Sequence, residues 1–158
     1  MKEENNTQTA LFVGSFDPFT IWHADIVDRT LKLFGRVVIG VGINPEKHYM
    51  LTAEDRINAI KSLYEGDNRV KTVGFNDLAV DLAQREKANF IVKGVRSVKD
   101  FEYEREQAEL NRRMTGIETI LLYADPSLAA ISSSAVRQLA YFNKDISWIL
   151  PKAKKSIK

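Results

Sequence analysis

Short apolar runs rich in β-branched residues recur along the chain at "LFV" (11–13), "VVIGVGI" (37–43), "VKTVGF" (70–75), "FIVKGV" (90–95) and "TILLYA" (119–124). Near-continuous apolar runs of this length read as strands covered on both faces. Between them the spacing turns helical. Ile26, Val27, Leu31 and Phe34 share one face of a first helix, and Ile57, Ile60, Leu63 and Tyr64 share one face of a second, which opens at Thr52 with a capping-box-like start. A third helix runs through Leu78, Leu82 and Ala83. A fourth, "DFEYEREQAELNRRM", places acidic residues early and arginines late, as the helix dipole prefers. A fifth begins near "SSAVRQLAYF", and "DISWIL" predicts a short helical turn before Pro151. This alternation predicts an α/β fold: a Rossmann-like, doubly wound, five-stranded parallel sheet with right-handed crossovers and helices on both faces. No repeat, low-complexity stretch or linker interrupts it, so residues 1–158 are expected to form a single domain. Residues 1–8 are expected to be a flexible start and 152–158 a basic tail.

Composition adds exclusions more than it adds function. An apolar fraction of 44% and a charged fraction of 28% suit a globular domain, and no apolar run approaches the length of a membrane span. The start "MKEENNTQT" lacks the basic and apolar segments of a signal peptide. The absence of cysteine excludes disulfides and thiolate chemistry, and a cytoplasmic location is expected. A net charge of +2, with the basic residues scattered, gives no reason to expect nucleic acid or membrane as a partner.

In open sheets of this kind ligands sit beyond the carboxyl ends of the strands, so the segments that follow each strand carry the candidate chemistry. After the first comes "GSFDPFTIWH" (14–23). Gly14 permits a tight turn, and Thr20 and His23 flank a helix start, where unpaired amides and the dipole favour phosphate. The plainer reading is that Asp17 and Thr20 cap the turn and His23 packs on the helix. After the second strand, "NPEKHYMLT" offers Lys47, which by default is a solvated loop lysine. After the fourth, Lys93, Gly94 and Arg96 set two cations around a glycine. After the fifth, Ser132, Ser133 and Ser134 open a helix, although capping needs only one of them. Four strand ends thus carry phosphate-compatible groups. There is no GxxxxGK[ST], no GxSxG and no metal-ligand spacing, and "GVGINP" lacks the third glycine of a dinucleotide fingerprint.

Taken together, "GSFDPFTxxH", "NPEKHYMLTAEDR", "VKGVRSVKDFEYE", the asparagine of "AELNRRM" and "ISSSAVR" closely resemble the bacterial phosphopantetheine adenylyltransferases. These are nucleotidyltransferases marked by HxGH or TxGH, and the resemblance spans about residues 10–151. It implies transfer of the adenylyl group of ATP to 4′-phosphopantetheine, giving dephospho-CoA and pyrophosphate, the penultimate step of CoA biosynthesis. It also implies Mg2+ carried mainly by the ATP phosphates, a homohexamer, and feedback by CoA. Matched position by position, it implies catalytic roles for His23, Lys47 and Thr20. ATP would be held by Ser15, Phe16, His23, Gly94, Val95, Arg96, Glu104 and the run Leu128, Ala129, Ala130, Ile131, Ser132, Ser133, Ser134. Phosphopantetheine would be held by Ser15, Lys47, Leu78, Ala79, Lys93 and Asn111, and no residue is matched to a metal. Two positions depart from the pattern. Trp22 stands where the motif has glycine, so its indole is expected either to turn away into a neighbouring helix, leaving His23 undisturbed, or to obstruct the ATP site. Lys93 replaces an arginine, keeping the charge without the bidentate fork. The alternatives are another HxGH adenylyl- or cytidylyltransferase, or a non-catalytic nucleotide- or CoA-binding module marked by Trp22.

Overall fold

The computed structural model describes residues 6–153. Its sheet is wholly parallel, with strands β1 (Thr9–Gly14), β2 (Arg36–Gly42), β3 (Val70–Phe75), β4 (Phe90–Val95) and β5 (Glu118–Tyr123) in the order β3-β2-β1-β4-β5. The chain winds outward from β1 through β2 to β3, then crosses back to β4 on the other side of β1. The topological switch point therefore lies between β1 and β4.

Alternation along the strands divides the core into two layers. Ala10, Phe12, Val37, Ile39, Val41 and Val92 face one side. They meet helices α1 (Ile21–Thr30), α2 (Ala53–Leu63) and α5 (Ser133–Tyr141) through Ile26, Val27, Ile60 and Val136. Leu11, Val38 and Ile91 face the other side and meet α3 (Ala79–Arg85) through Val80, Leu82 and Ala83. Helix α4 (Val98–Thr115) lies alongside β4 and β5 and buries none of its own residues fully. Its ends follow the sequence: the Ser97 hydroxyl accepts from the Asp100 amide, and Gly116 closes the helix at φ 76°, a conformation that favours glycine.

Helix α1 stops earlier than its apolar spacing predicts. The Thr30 hydroxyl bonds back to the Ile26 carbonyl, and the chain tightens into i→i+3 bonds at Lys32 and Leu33. "DISWIL" forms one turn, closed by the Ile149 amide on the Ile146 carbonyl, and Ile149 is buried. At the other end, the Gln8 carbonyl accepts from the amides of Gly35 and Arg36. Residues 1–5 of the expected flexible start and 154–158 of the expected basic tail lie outside the described residues. Among the described residues, no helix is long and apolar enough to cross a membrane.

Candidate active site

The turn after β1 is bolted down from three sides. Phe16 adopts φ 52°, a left-handed conformation uncommon for a side chain of this size, and its buried ring packs against Phe12 and Phe19. The buried Asp17 carboxylate accepts from the amides of Met50 and Leu51, at 2.7 and 2.9 Å, which fixes the loop after β2 against this turn. The Asp17 carbonyl accepts from Arg137 on α5 at 2.9 Å, and the Pro18 carbonyl accepts from the Ser133 hydroxyl at 2.8 Å. A fully buried guanidinium completes the frame. Arg56, on α2, donates to the carbonyls of Ser15 (2.7 Å) and Gly42 (2.9 Å), joining the ends of β1 and β2, and lies on the Tyr49 ring. From sequence Asp17 reads only as a cap of the turn, and neither Arg56 nor Arg137 is given a role. The apolar face of α2 was legible, but an arginine falling on it reads as surface charge.

On this frame Ser15 and Lys47 meet, the ammonium donating to the serine hydroxyl at 3.2 Å. Both line a cleft of about 470 Å³ with Asn44, Tyr49, Phe75 and Asp77, beyond the ends of β1, β2 and β3. Lys47 is therefore drawn into a site. The imidazole of His23 stands on the α1 side of the turn, edge-on to Phe16 and stacked with Phe19. Its Nδ1 accepts from the Thr20 amide at 2.9 Å and lies 3.0 Å from the Thr20 hydroxyl. With Nδ1 an acceptor, the neutral ring carries its proton on Nε2. Burial among these rings, reinforced by the nearby Arg96 cation, lowers the His23 pKa to about 3. His23 is thus a neutral donor over the physiological range.

The three serines divide their work. Ser132 caps α5 through the Ala135 amide, Ser133 holds Pro18, and Ser134 accepts from Arg137. The loop that leads into them, from Leu128 through Ala129 and Ala130 to Ile131, is gripped at the Ile131 carbonyl by Arg96, at 3.0 Å. Gly94 and Arg96 thereby join the serine loop and His23 in one region on the α1 side of the β4 end, and Val95, between them in sequence, is buried.

Lys93 points the other way. Together with Leu78, Ala79, Glu104 and Asn111 it lines a more enclosed cavity of about 140 Å³ between α3, α4 and the sheet. There Lys93 sits 3.6 Å from the Glu104 carboxylate. Four residues matched to the pantetheine side do converge; Glu104, matched to ATP, is found with them rather than beside Arg96.

The expectation that Trp22 turns into a neighbouring helix is corrected. Its indole packs on strand β4, and a Cβ built on Gly94 would lie 2.6 Å from the ring. The Arg96 guanidinium covers it, 4.8 Å from the ring centroid. His23 keeps its hydrogen bonds despite the edge-on contact with this ring.

A parallel sheet with phosphate-compatible groups at its switch point defines a nucleotidyltransferase-like protein, and a cytidylyltransferase-like family model matches residues 11–139. Curated relatives named phosphopantetheine adenylyltransferase are 48% identical in Bacteroides fragilis (90% of this chain, 95% of the relative) and 47% identical in Phocaeicola vulgatus (92% and 97%). Among solved structures, a protein from Vibrio parahaemolyticus provisionally named a nicotinate-nucleotide adenylyltransferase superposes with a TM-score of 0.68 at 18% identity. That match covers 92% of this chain and 88% of the other, and at such identity it shows the fold. The chain belongs to the phosphopantetheine adenylyltransferase branch of the cytidylyltransferase-like family.

Proposed function

We propose that this protein transfers the adenylyl group of ATP to 4′-phosphopantetheine, releasing pyrophosphate and forming dephospho-CoA. The observation that carries the reading is convergence. Residues far apart in sequence, Leu78, Ala79, Lys93 and Asn111, line one cavity, while Ser15 and Lys47 form a hydroxyl–ammonium pair at the adjoining strand ends. The names of the relatives supply the chemistry that fits both halves.

In this reading the acceptor's phosphate rests between the Ser15 hydroxyl and the Lys47 ammonium, with its pantetheine arm in the cavity beyond Lys93. A phosphate oxygen attacks the α-phosphorus of ATP in line, and the bond to the pyrophosphate oxygen breaks. No protein nucleophile takes part. His23 donates from Nε2 to oxygens on which charge builds, a neutral donor held in place by Thr20. Its low pKa makes it unsuited to general-base work. Gly94, Val95, Arg96 and the loop from Leu128 to Ser134 bound the nucleotide side.

Among the described residues, no group of three or more His, Cys, Asp or Glu side chains is placed to hold a metal ion. In this reading Mg2+ enters as a companion of the ATP phosphates, and no step is assigned to it. A cytoplasmic homohexamer inhibited by CoA completes it, and sedimentation with and without CoA tests the assembly.

The decisive assay is pyrophosphate release from MgATP with 4′-phosphopantetheine, with nicotinate mononucleotide in parallel. Release only with phosphopantetheine supports the reading, and release with nicotinate mononucleotide alone replaces it with another HxGH transferase. Release with neither, from folded protein that binds CoA, favours the second reading, a binding module without turnover. That second reading rests on the position of Trp22 over Gly94.

A further inference from the structure

The sheet opens where the chain reverses direction. The β1–β2, β2–β3 and β4–β5 ladders run to the carboxyl ends of their strands, whereas pairing between β1 and β4 stops at Phe12 and Val92. Beyond that point the two strands part, and the crevice at such a switch point is where doubly wound sheets bind ligands. Here the α1 side of its β4 wall is covered by the chain's own Trp22. The benzo ring of the indole packs so close to Gly94 that a side chain at that position would collide with it. The Arg96 guanidinium closes over the ring. A side-chain-free strand position and a guanidinium, both against the same ring, make a place that suits a flat bicyclic group, whether indole or purine.

Two features mark the docked indole as displaceable. Its Nε1–H is buried without any hydrogen-bond partner, although the side chain is only 7% exposed. A buried donor left unpaired weakens the docked state, and release into water satisfies it. Trp22 is also the second residue of α1, so no earlier helical turn stands in the way of its swing. Arg96 stays behind when the ring leaves, because it is tied to the Ile131 carbonyl and the Asp100 carboxylate.

We propose that Trp22 is a built-in competitor for the base of the nucleotide: its indole fills the slot between Gly94 and Arg96, and ATP enters as the indole leaves. Because Lys93 and Gly94 face opposite sides of β4, Trp22 sets the affinity for ATP and leaves the acceptor cavity alone. The inference rests on the assignment of ATP and 4′-phosphopantetheine made above, so its test reads the two ligands separately.

Calorimetric titrations of MgATP and of 4′-phosphopantetheine into the wild-type chain and into Trp22→Gly and Trp22→Ala variants are compared. Removal of the indole is expected to tighten MgATP binding by about tenfold or more, as a self-occluded site predicts, while phosphopantetheine affinity stays within about twofold. The chain has two tryptophans, and the other, Trp148, is exposed. A Trp148→Phe chain therefore reports Trp22 alone, and its emission is expected to shift to the red as MgATP saturates the protein. Unchanged ATP affinity in folded Trp22 variants overturns the proposal, as does saturation with ATP that leaves Trp22 emission unmoved. ATP binding seen only after the substitution supports it in its strongest form. If the substituted chains do not fold, the emission experiment decides. ATP binding to none of the folded chains overturns the competitor role. Phosphopantetheine binding then separately decides whether the functional reading stands.

Discussion

Between pH 7 and pH 5 the folded chain keeps His23 neutral, while the same side chain in the unfolded chain takes up a proton near its ordinary pKa of 6.5. The unfolded state binds more protons across this window, so the stability contributed by a neutral His23 is present above about pH 6.5. It is lost progressively as pH falls toward 3. From pH 7 to pH 5 this one group is expected to cost about 2 kcal/mol. Urea unfolding at the two pH values should show the loss in the wild-type chain and lack it in His23→Gln, whose other carboxylates and cations are the same. An equal loss in both chains would remove His23 as the cause. The same donor role predicts that His23→Ala lowers turnover by roughly 100- to 1,000-fold, the usual cost of deleting a preorganised donor at a developing charge. Pyrophosphate release under saturating substrates measures it, and full activity would take His23 out of the mechanism.

At the scale of elements, the strand ends hold their positions because buried polar groups tie them together, and Arg56 does most of this from α2. Replacing it with leucine takes away the donor to the partly buried Ser15 carbonyl and leaves the Gly42 carbonyl only the longer 3.4 Å contact with the Tyr49 hydroxyl, at about 1–3 kcal/mol in all. The urea midpoint should fall accordingly, and the Ser15–Lys47 pair should loosen with it. A midpoint within error of wild type would show that the guanidinium holds nothing. Gly94 gives a second test: Gly94→Ala pushes a methyl into the Trp22 ring and is expected to cost about 1–3 kcal/mol, a penalty relieved in the Trp22→Ala background. Additive costs in that cycle would contradict the packing. The two cases also mark what the sequence can disclose. Five strands and five helices follow from periodicity, and the phosphate-compatible segments follow from lying just after strands. Arg56 was hidden because burial of a cation depends on carbonyls brought to it by other elements. The path of Trp22 was hidden because a tryptophan on a helix carries no mark of which strand it will meet.

The whole molecule closes on itself through its C-terminal segment, which periodicity reduced to a short turn. Ile149 is buried in the layer that holds α1, α2 and α5, and its carbonyl accepts from the Ile21 amide at 2.9 Å, at the start of the helix that carries Trp22 and His23. The segment thus satisfies one of the free amides at the N-terminus of α1 and presses that helix onto the sheet from outside the strand–helix repeat. Ending the chain after Asn143 should therefore destabilise it by roughly the 2–5 kcal/mol of a lost core aliphatic side chain and lower activity with it. Ending it after Lys152, which keeps Ile149, should leave both unchanged. Ile149→Ala separates the buried side chain from the backbone bond, since the carbonyl of residue 149 survives the substitution. If it costs as much as the full truncation, packing carries the contribution; if it costs clearly less, the bond to Ile21 carries the rest. Thermal unfolding of the three chains, read beside pyrophosphate release, makes the comparison. Equal stability of all three would leave α1 held by the sheet alone.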